Sequence, residues 1–62
     1  MRIRYFAETD TLAIDLAALR GSSETRALSD DVTVELDAYG RIVAVDIEHA
    51  ATYIDVSALE SV

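Results

Sequence analysis

Asp30, Asp31, Asp37, Asp46 and Glu48 are the carboxylates of this chain that sit close enough in sequence to be cast as oxygen ligands of a hard cation. Such a cation needs about six to eight oxygens converging on one point. Alternation along strands would instead spread most of these groups over a solvated face, and the chain has no Asp-x-Asp-x-Asp-Gly loop. His49, with Glu48 beside it, could serve as a general base or a ligand. No serine or cysteine nucleophile motif accompanies it, so a histidine at the surface, where a strand meets a helix, is the preferred reading. Ser22, Ser23 and Ser57 fit turn and cap chemistry better than nucleophilic catalysis. Of the four aromatics, Tyr5 reads as a core residue, with Phe6 beside it. Tyr39 at a turn tip and Tyr53 near the C-terminal element read either as contact residues or as caps on the edge of the core, and the sequence does not choose between the two. No catalytic, cofactor-binding or metal-ligating residue is assigned, and no cofactor is implied.

Composition narrows the function classes. The 62 residues make one domain, residues 1–62, whose core is marginal: a chain this short buries only about 60% of the surface it exposes when unfolded. Cysteine is absent, which excludes disulfides and thiolate metal sites, and a single histidine excludes a histidine-rich site. Self-association, with a dimer favoured, is the remaining remedy for a small core, and the 52% hydrophobic content fits it. A formal charge of −7 repels phosphate backbones and argues against nucleic-acid binding. The same charge favours encounter with a small basic protein. There is no secretory-type leader and no apolar run near the ~20 residues needed to span a bilayer, so a soluble cytoplasmic chain with no membrane contact is expected.

The elements that must position these groups follow from alternation. Met1, Ile3 and Tyr5 alternate with Arg2 and Arg4, and Leu12, Ile14 and Leu16 alternate after the four-residue loop Ala7-Glu8-Thr9-Asp10. Setting Tyr5 opposite Leu12 brings Ile3 to Ile14 on one face and Arg2 to Asp15 on the other. A helix over residues 11–20 is the rival, and an irregular or helical extension after Leu16 is allowed. Gly21-Ser22-Ser23 ends that element, and residues 24–28 make a short third strand. Its register against 32–37 stays open between Ala27 opposite Val32 and Leu28 opposite Val32.

The central hairpin is the strongest local signal. With Tyr39-Gly40 as a two-residue loop, Leu36 faces Val43, Val34 faces Val45 and Val32 faces Ile47, all apolar and on one face. A three-residue loop, Ala38-Tyr39-Gly40, slips the register by one and sets Val43, Val45 and Ile47 beside Glu35 and Asp37. The core therefore favours the two-residue loop, although a type I′ turn would hold Tyr39 at positive φ. Beyond it, Asp55 is a good N-cap, and Ile54 and Leu59 are placed as a hydrophobic staple. A short C-terminal helix is expected, with a first turn possible near Glu48-His49. The fold class is α+β: a small antiparallel β-meander of four to five strands with a short C-terminal helix over one face.

Met-x-Ile-x-Tyr, the acidic loop, Leu12-Ala13-Ile14-Asp15-Leu16 and then Gly40-Arg41-Ile42-Val43-Ala44-Val45-Asp46-Ile47 resemble the small prokaryotic family known as domain of unknown function 2283. The resemblance runs through residues 2–5, 12–16, 24–26, 32–37 and 40–48. Family members usually carry Asp or Asn before the turn glycine, where this chain has Tyr39. The resemblance implies a compact β-meander with a C-terminal helix and carries no assigned activity. Its association with small toxin-like proteins points toward an antitoxin-like role. The leading functional reading is an uncharacterised small interaction module, self-associating and/or binding a small basic protein, rather than an enzyme. The alternative is a small ligand-binding or hydrolase-like protein with a site formed at a subunit interface, using Asp46, Glu48 and His49.

Overall fold

The computed structural model describes residues 1–17 and 21–59. Five strands cross them: β1 (Arg2–Phe6), β2 (Thr11–Asp15), β3 (Glu24–Ala27), β4 (Val32–Leu36) and β5 (Ile42–Glu48). They form a single antiparallel sheet in the order β1-β2-β5-β4-β3. The last strand therefore lies in the middle. β5 is the longest, and its Val/Ile-rich sequence suits a position paired on both sides. The order differs from a plain meander, because β5 inserts between the β1–β2 hairpin and the β3–β4 hairpin.

The first hairpin has the register read from its sequence, with Tyr5 opposite Leu12, Ile3 opposite Ile14 and Arg2 opposite Asp15. The strand over Thr11–Asp15 excludes the rival helix there. The proposed extension beyond it falls partly on residues 18–20, outside the described residues. At β3 the open choice of register resolves to Leu28 beside Val32: Ala27 pairs with Thr33, and the Leu28 amide donates to the Val32 carbonyl at 2.8 Å.

Pairing sorts the side chains onto two faces. Ile3, Tyr5, Leu12, Ile14, Val45, Ile47, Val32 and Val34 share an apolar face. Arg2, Arg4, Ala13, Asp15, Ala44, Asp46, Thr33 and Glu35 share the other. The core lies along the first, where Leu12, Val34 and Val43 are each only 4% exposed. On the second face only the small Ala13 and Ala44 are buried, sheltered beneath longer charged neighbours.

The central hairpin corrects the expected two-residue loop. Leu36 pairs with Ile42, not Val43, while Val34 still faces Val45 and Val32 still faces Ile47. The loop is the three-residue Ala38-Tyr39-Gly40: the Asp37 amide donates to the Arg41 carbonyl at 2.9 Å, and Gly40 takes φ +81. That is the type I turn with a left-handed glycine common in hairpins, and it frees Tyr39 from positive φ. The one-residue offset is absorbed by a β-bulge that leaves Val43 as the extra residue of β5. Loop and bulge together restore the apolar register that either simple hairpin would have had to choose or lose.

The expected C-terminal helix is also corrected. Among the described residues there is no α-helix, only 3-10 turns at Ala50–Thr52 and Val56–Ala58, so the α+β class is not met. Asp55 does cap the second turn, accepting from the Ser57 amide at 3.1 Å, but Leu59 is already extended. The physical reason is length. His49 in the left-handed region breaks the chain after β5, and the few residues left on either side of Tyr53 cannot offset the cost of nucleating a helix. Glu60, the last residue of the expected helix, lies outside the described residues.

The loop geometry makes a discriminating prediction. A Cβ on Gly40 would meet open space, so Gly40→Ala should cost only its conformational penalty, about 1 kcal/mol, read as a lowered urea midpoint at unchanged m-value. Tyr39→Gly should bring no gain in stability. A stabilised Tyr39→Gly would mean that Tyr39, not Gly40, bears the left-handed conformation.

Candidate functional site

Three polar groupings stand out, and the first is a pair of clamps at one end of the sheet. Asp10, in the left-handed region at the close of the first hairpin loop, accepts from the Tyr5 hydroxyl at 2.5 Å and from the Ala51 amide at 3.1 Å. Its carbonyl takes the Ala50 amide at 3.0 Å. Asp31, just before β4, binds His49 Nδ1 at 2.9 Å and accepts from the Tyr53 hydroxyl, while its carbonyl takes the Glu48 amide at 2.7 Å. Two aspartates from two loops thus fasten the chain that leaves β5, and Ala50 between them is fully buried.

The electrostatics of the clamps are mutual. Hydrogen bonds from Tyr53 and then His49 hold the Asp31 carboxyl below its ordinary value. The Asp31 hydrogen bond raises both His49 and Tyr53, and the Asp10 hydrogen bond raises Tyr5. A base in an Asp–His pair needs a hydroxyl or thiol within reach of its other nitrogen. None is engaged here. The Ser57 hydroxyl donates to Asp55 at 2.5 Å, and Ser29 Oγ accepts from the amides of Asp31 and Val32. Ser22 and Ser23 are exposed on the approach to β3. The arrangement positions a chain segment; it does not assemble a nucleophile.

The second grouping is the hairpin tip. Asp37, 6% exposed, accepts from the amides of Tyr39 and Arg41 at 2.9 and 3.0 Å and from Arg41 Nε at 2.8 Å. Burial pushes its carboxyl up, but the Arg41 and Tyr39 amides and the Arg41 guanidinium outweigh that and hold it low. The guanidinium also lies over the Tyr39 ring, 5.2 Å from its centroid, leaving Tyr39 84% exposed at the tip.

The third lies on the charged face. Asp15 pairs across the sheet with Ala44, Ala44 with Glu35, and Asp46 with Ala13 and Thr33, so Asp15, Glu35 and Asp46 surround one small residue. Arg4 enters from β1, bonding Asp15 Oδ2 through Nη2 at 3.0 Å, with its guanidinium 5.8 Å from the Phe6 ring centroid. Its Nε is buried without an acceptor. Burial, and then the like charges of Glu35 and Asp15, raise the Asp46 carboxyl, with Arg4 opposing.

The carboxylates that could have formed one cation site are therefore scattered. Asp31 serves a clamp, Asp37 a turn and Asp46 the charged face, and no group of three or more possible ligands converges among the described residues. His49 takes Asp31 as its partner; Glu48 only raises its proton affinity from nearby. The sequence reading set Asp15 opposite Arg2, as the register has it, but the bond to Asp15 comes from Arg4. The convergence of Asp15 with Glu35 and Asp46 was not legible, because only the placing of β5 between β2 and β4 makes them neighbours. Asp10 carried one visible signal, an aspartate at the end of a hairpin loop, where a left-handed residue is tolerated. An open depression of about 490 Å³ lies against Phe6, Ala7, Glu8 and Thr9, one hairpin loop with a single titratable side chain. Among the described residues, no helix is long and apolar enough to cross a membrane.

The model of a family described as Protein of unknown function (DUF2283) matches residues 2–50. No curated protein and no solved structure matches the chain.

The shifts fix a pH profile. His49 is raised on folding, so its contribution is complete below about pH 6.5 and is lost as pH climbs through the folded value. Asp31 is lowered, so its contribution holds above its unfolded value near 3.8 and is lost as pH falls through the folded one. Urea midpoints should therefore peak between these limits, and His49→Gln should flatten the decline on the alkaline side while shrinking the acid limb without removing it, because the Tyr53 hydroxyl still holds the Asp31 carboxyl low. Asp46 has the opposite sign for a carboxylate: being raised, it opposes folding once ionised. Asp46→Asn should accordingly raise the urea midpoint at pH 7; an unchanged or lower midpoint would deny the crowding.

Proposed function

The chain belongs to the DUF2283 family of proteins of unknown function, and we propose that it is a non-enzymatic interaction module that presents its charged sheet face to a small basic protein, in an antitoxin-like, neutralising role. The observation that supports this is the crowding of Asp15, Glu35 and Asp46 around Ala44. Like charges packed on one face of a marginal domain oppose its stability, and groups that do so are characteristic of functional surfaces. A cationic partner would relieve the repulsion that the fold leaves in place. The net charge of −7 extends the same field over the molecule and would speed the encounter.

The face suits a protein surface better than a small ligand. It is a strand surface with the small, buried Ala44 at its centre and charged side chains from adjacent strands around it, a spread of groups that a protein partner can span. Arg4 already engages Asp15, so Glu35 and Asp46, both half-buried, are the carboxylates of this cluster that a basic partner would address.

The test separates the patch from the net charge. Binding of a fluorescent Arg-rich peptide, followed by anisotropy, should weaken by about tenfold or more between low and physiological salt. The double variant Glu35→Gln, Asp46→Asn should bind at least about tenfold more weakly than the wild type. The double variant Glu8→Gln, Asp55→Asn, which removes equal charge elsewhere, should bind nearly as the wild type does. Equal weakening by both pairs would reduce the effect to overall charge and overturn the proposal.

A further inference from the structure

We propose that the open end of the apolar sheet face is covered by a second copy of this chain, the two sheets packing face to face. The apolar face is closed in its middle and open toward its margins, at Leu28 beside Val32 and, more broadly, at the end that carries Met1, Ile3, Leu16 and Ile42. Leu12 and Val34 are 4% exposed, whereas Ile3 is 37%, Leu16 and Ile42 are each 42% and Met1 is 86%. The open residues at that end lie together. Ile3 pairs with Ile14, Leu16 continues the same alternation, the Leu16 amide donates to the Val43 carbonyl at 2.8 Å, and Ile42 adjoins Val43 opposite Leu36.

Surface area is consistent with an unfilled contact. The chain exposes 4529 Å², against about 4,000 Å² expected of a compact monomer of 6.8 kDa. The surplus, about 500 Å² over the whole chain, is smaller than the ~800 Å² that one partner contributes to a standard-size interface, which suits a weak, concentration-dependent dimer. The molecule is thin for the same reason, with extents of 34 × 25 × 16 Å, close to one sheet and a partial covering layer.

Charge selects the face. Contact through the opposite side would press Asp15, Glu35 and Asp46 against their own copies in a molecule of charge −7. Contact through the apolar side sends those carboxylates to the two outer surfaces. There they are separated by more than the ~10 Å between packed sheets and so by more than a Debye length at physiological salt. Pairing of the β1 edge with its copy would instead bring Arg2 and Arg4 toward Arg2 and Arg4. The β3 edge is four residues long, exposed throughout and without a large apolar side chain. The dimer goes beyond the proposed basic partner, since it uses the other side of the sheet. It would offer two acidic faces pointing outward, so each dimer could engage a basic protein on both sides.

Sedimentation equilibrium of the full chain from about 10 µM to about 1 mM tests this over the range where even weak contacts populate a dimer. The expected result is a mass rising from 6.8 kDa toward twice that value. Leu16→Glu and Ile42→Glu change residues already 42% exposed in a single chain, so each should keep the wild-type circular dichroism while weakening self-association by about tenfold or more. Glu35→Lys, on the other side of the sheet, should leave the dimer in place. Dilution-dependent amide shifts at Leu16, Ile42 and Ile3 in the wild type give the same answer without any substitution. A wild-type chain that stays at monomer mass throughout overturns the proposal. So does a dimer that survives both glutamate variants, or one whose dilution shifts fall on β3 or the charged face. None of these results bears on the anisotropy test of the acidic face, so the two readings fail separately.

Discussion

The central hairpin carries an offset that must be undone within a few residues, and the rest of the sheet depends on that repair. A three-residue loop shifts its strands by one position relative to a two-residue loop. Left alone, that shift would turn Val45 and Ile47 toward the side of Glu35 and strip the core of half its side chains. The bulge at Val43 takes the residue back before Val45 is reached. Asp37 makes this stable: one carboxylate gathers two turn amides and a guanidinium, so the loop closes in one geometry. Being charge-assisted and nearly buried, these bonds are among the stronger ones in the molecule. β5, held to that register, is the strand on which both β2 and β4 align.

From this register the character of each face follows. Once Val34 faces Val45 and Ile14 faces Val45 from the other side, every second residue of three adjacent strands falls on the same surface. The intervening residues are then forced together as well, and in this chain they include Asp15, Asp46 and Glu35, with Arg4 reaching Asp15 from β1. The acidic crowd is thus a consequence of the apolar pairing. A sequence that wished to avoid it would need only neutral residues at these solvent-facing positions, where packing demands little. Asp15 is answered by the Arg4 guanidinium, while packing makes no demand for acids at Glu35 and Asp46, and this is what motivates the proposal of a contact surface there.

Legibility from the sequence followed the range of the interactions. The first hairpin could be read, register included, because a four-residue loop and two alternating runs leave one pairing that sets Tyr5, Ile3, Leu12 and Ile14 on one face. In the second, the apolar pairs distant from the turn were equally legible. The turn itself was not, since a bulge lets the core be satisfied by a loop that simple alternation rejects. The C-terminal helix failed for a related reason. Asp55 was correctly seen as a cap, but a cap does not make a helix when two clamps fix the chain a few residues away. Those clamps join Asp10 to Ala51 and Asp31 to Tyr53, partners far apart in sequence that no local pattern announces. The charged-face cluster was hidden in the same way, because it exists only once β5 lies between β2 and β4.

The thinness of the molecule decides what kind of function it can hold. A buried catalytic site needs walls on several sides, so that water is excluded and groups are held by packing from behind. Among the described residues the structure is one sheet with two 3-10 turns, and the best-buried side chains hold the sheet itself together. What a sheet of this size does offer is two broad surfaces of opposite character, each fixed by the same register. An apolar side left open in a small domain is stabilised most simply by another apolar side, and its own copy is the one always present at equal concentration. In the proposed dimer the acidic sides face outward, where the proposed cation-bearing partner would meet them. The two surfaces do not compete, because the pleat that sends one set of side chains inward sends the other set out.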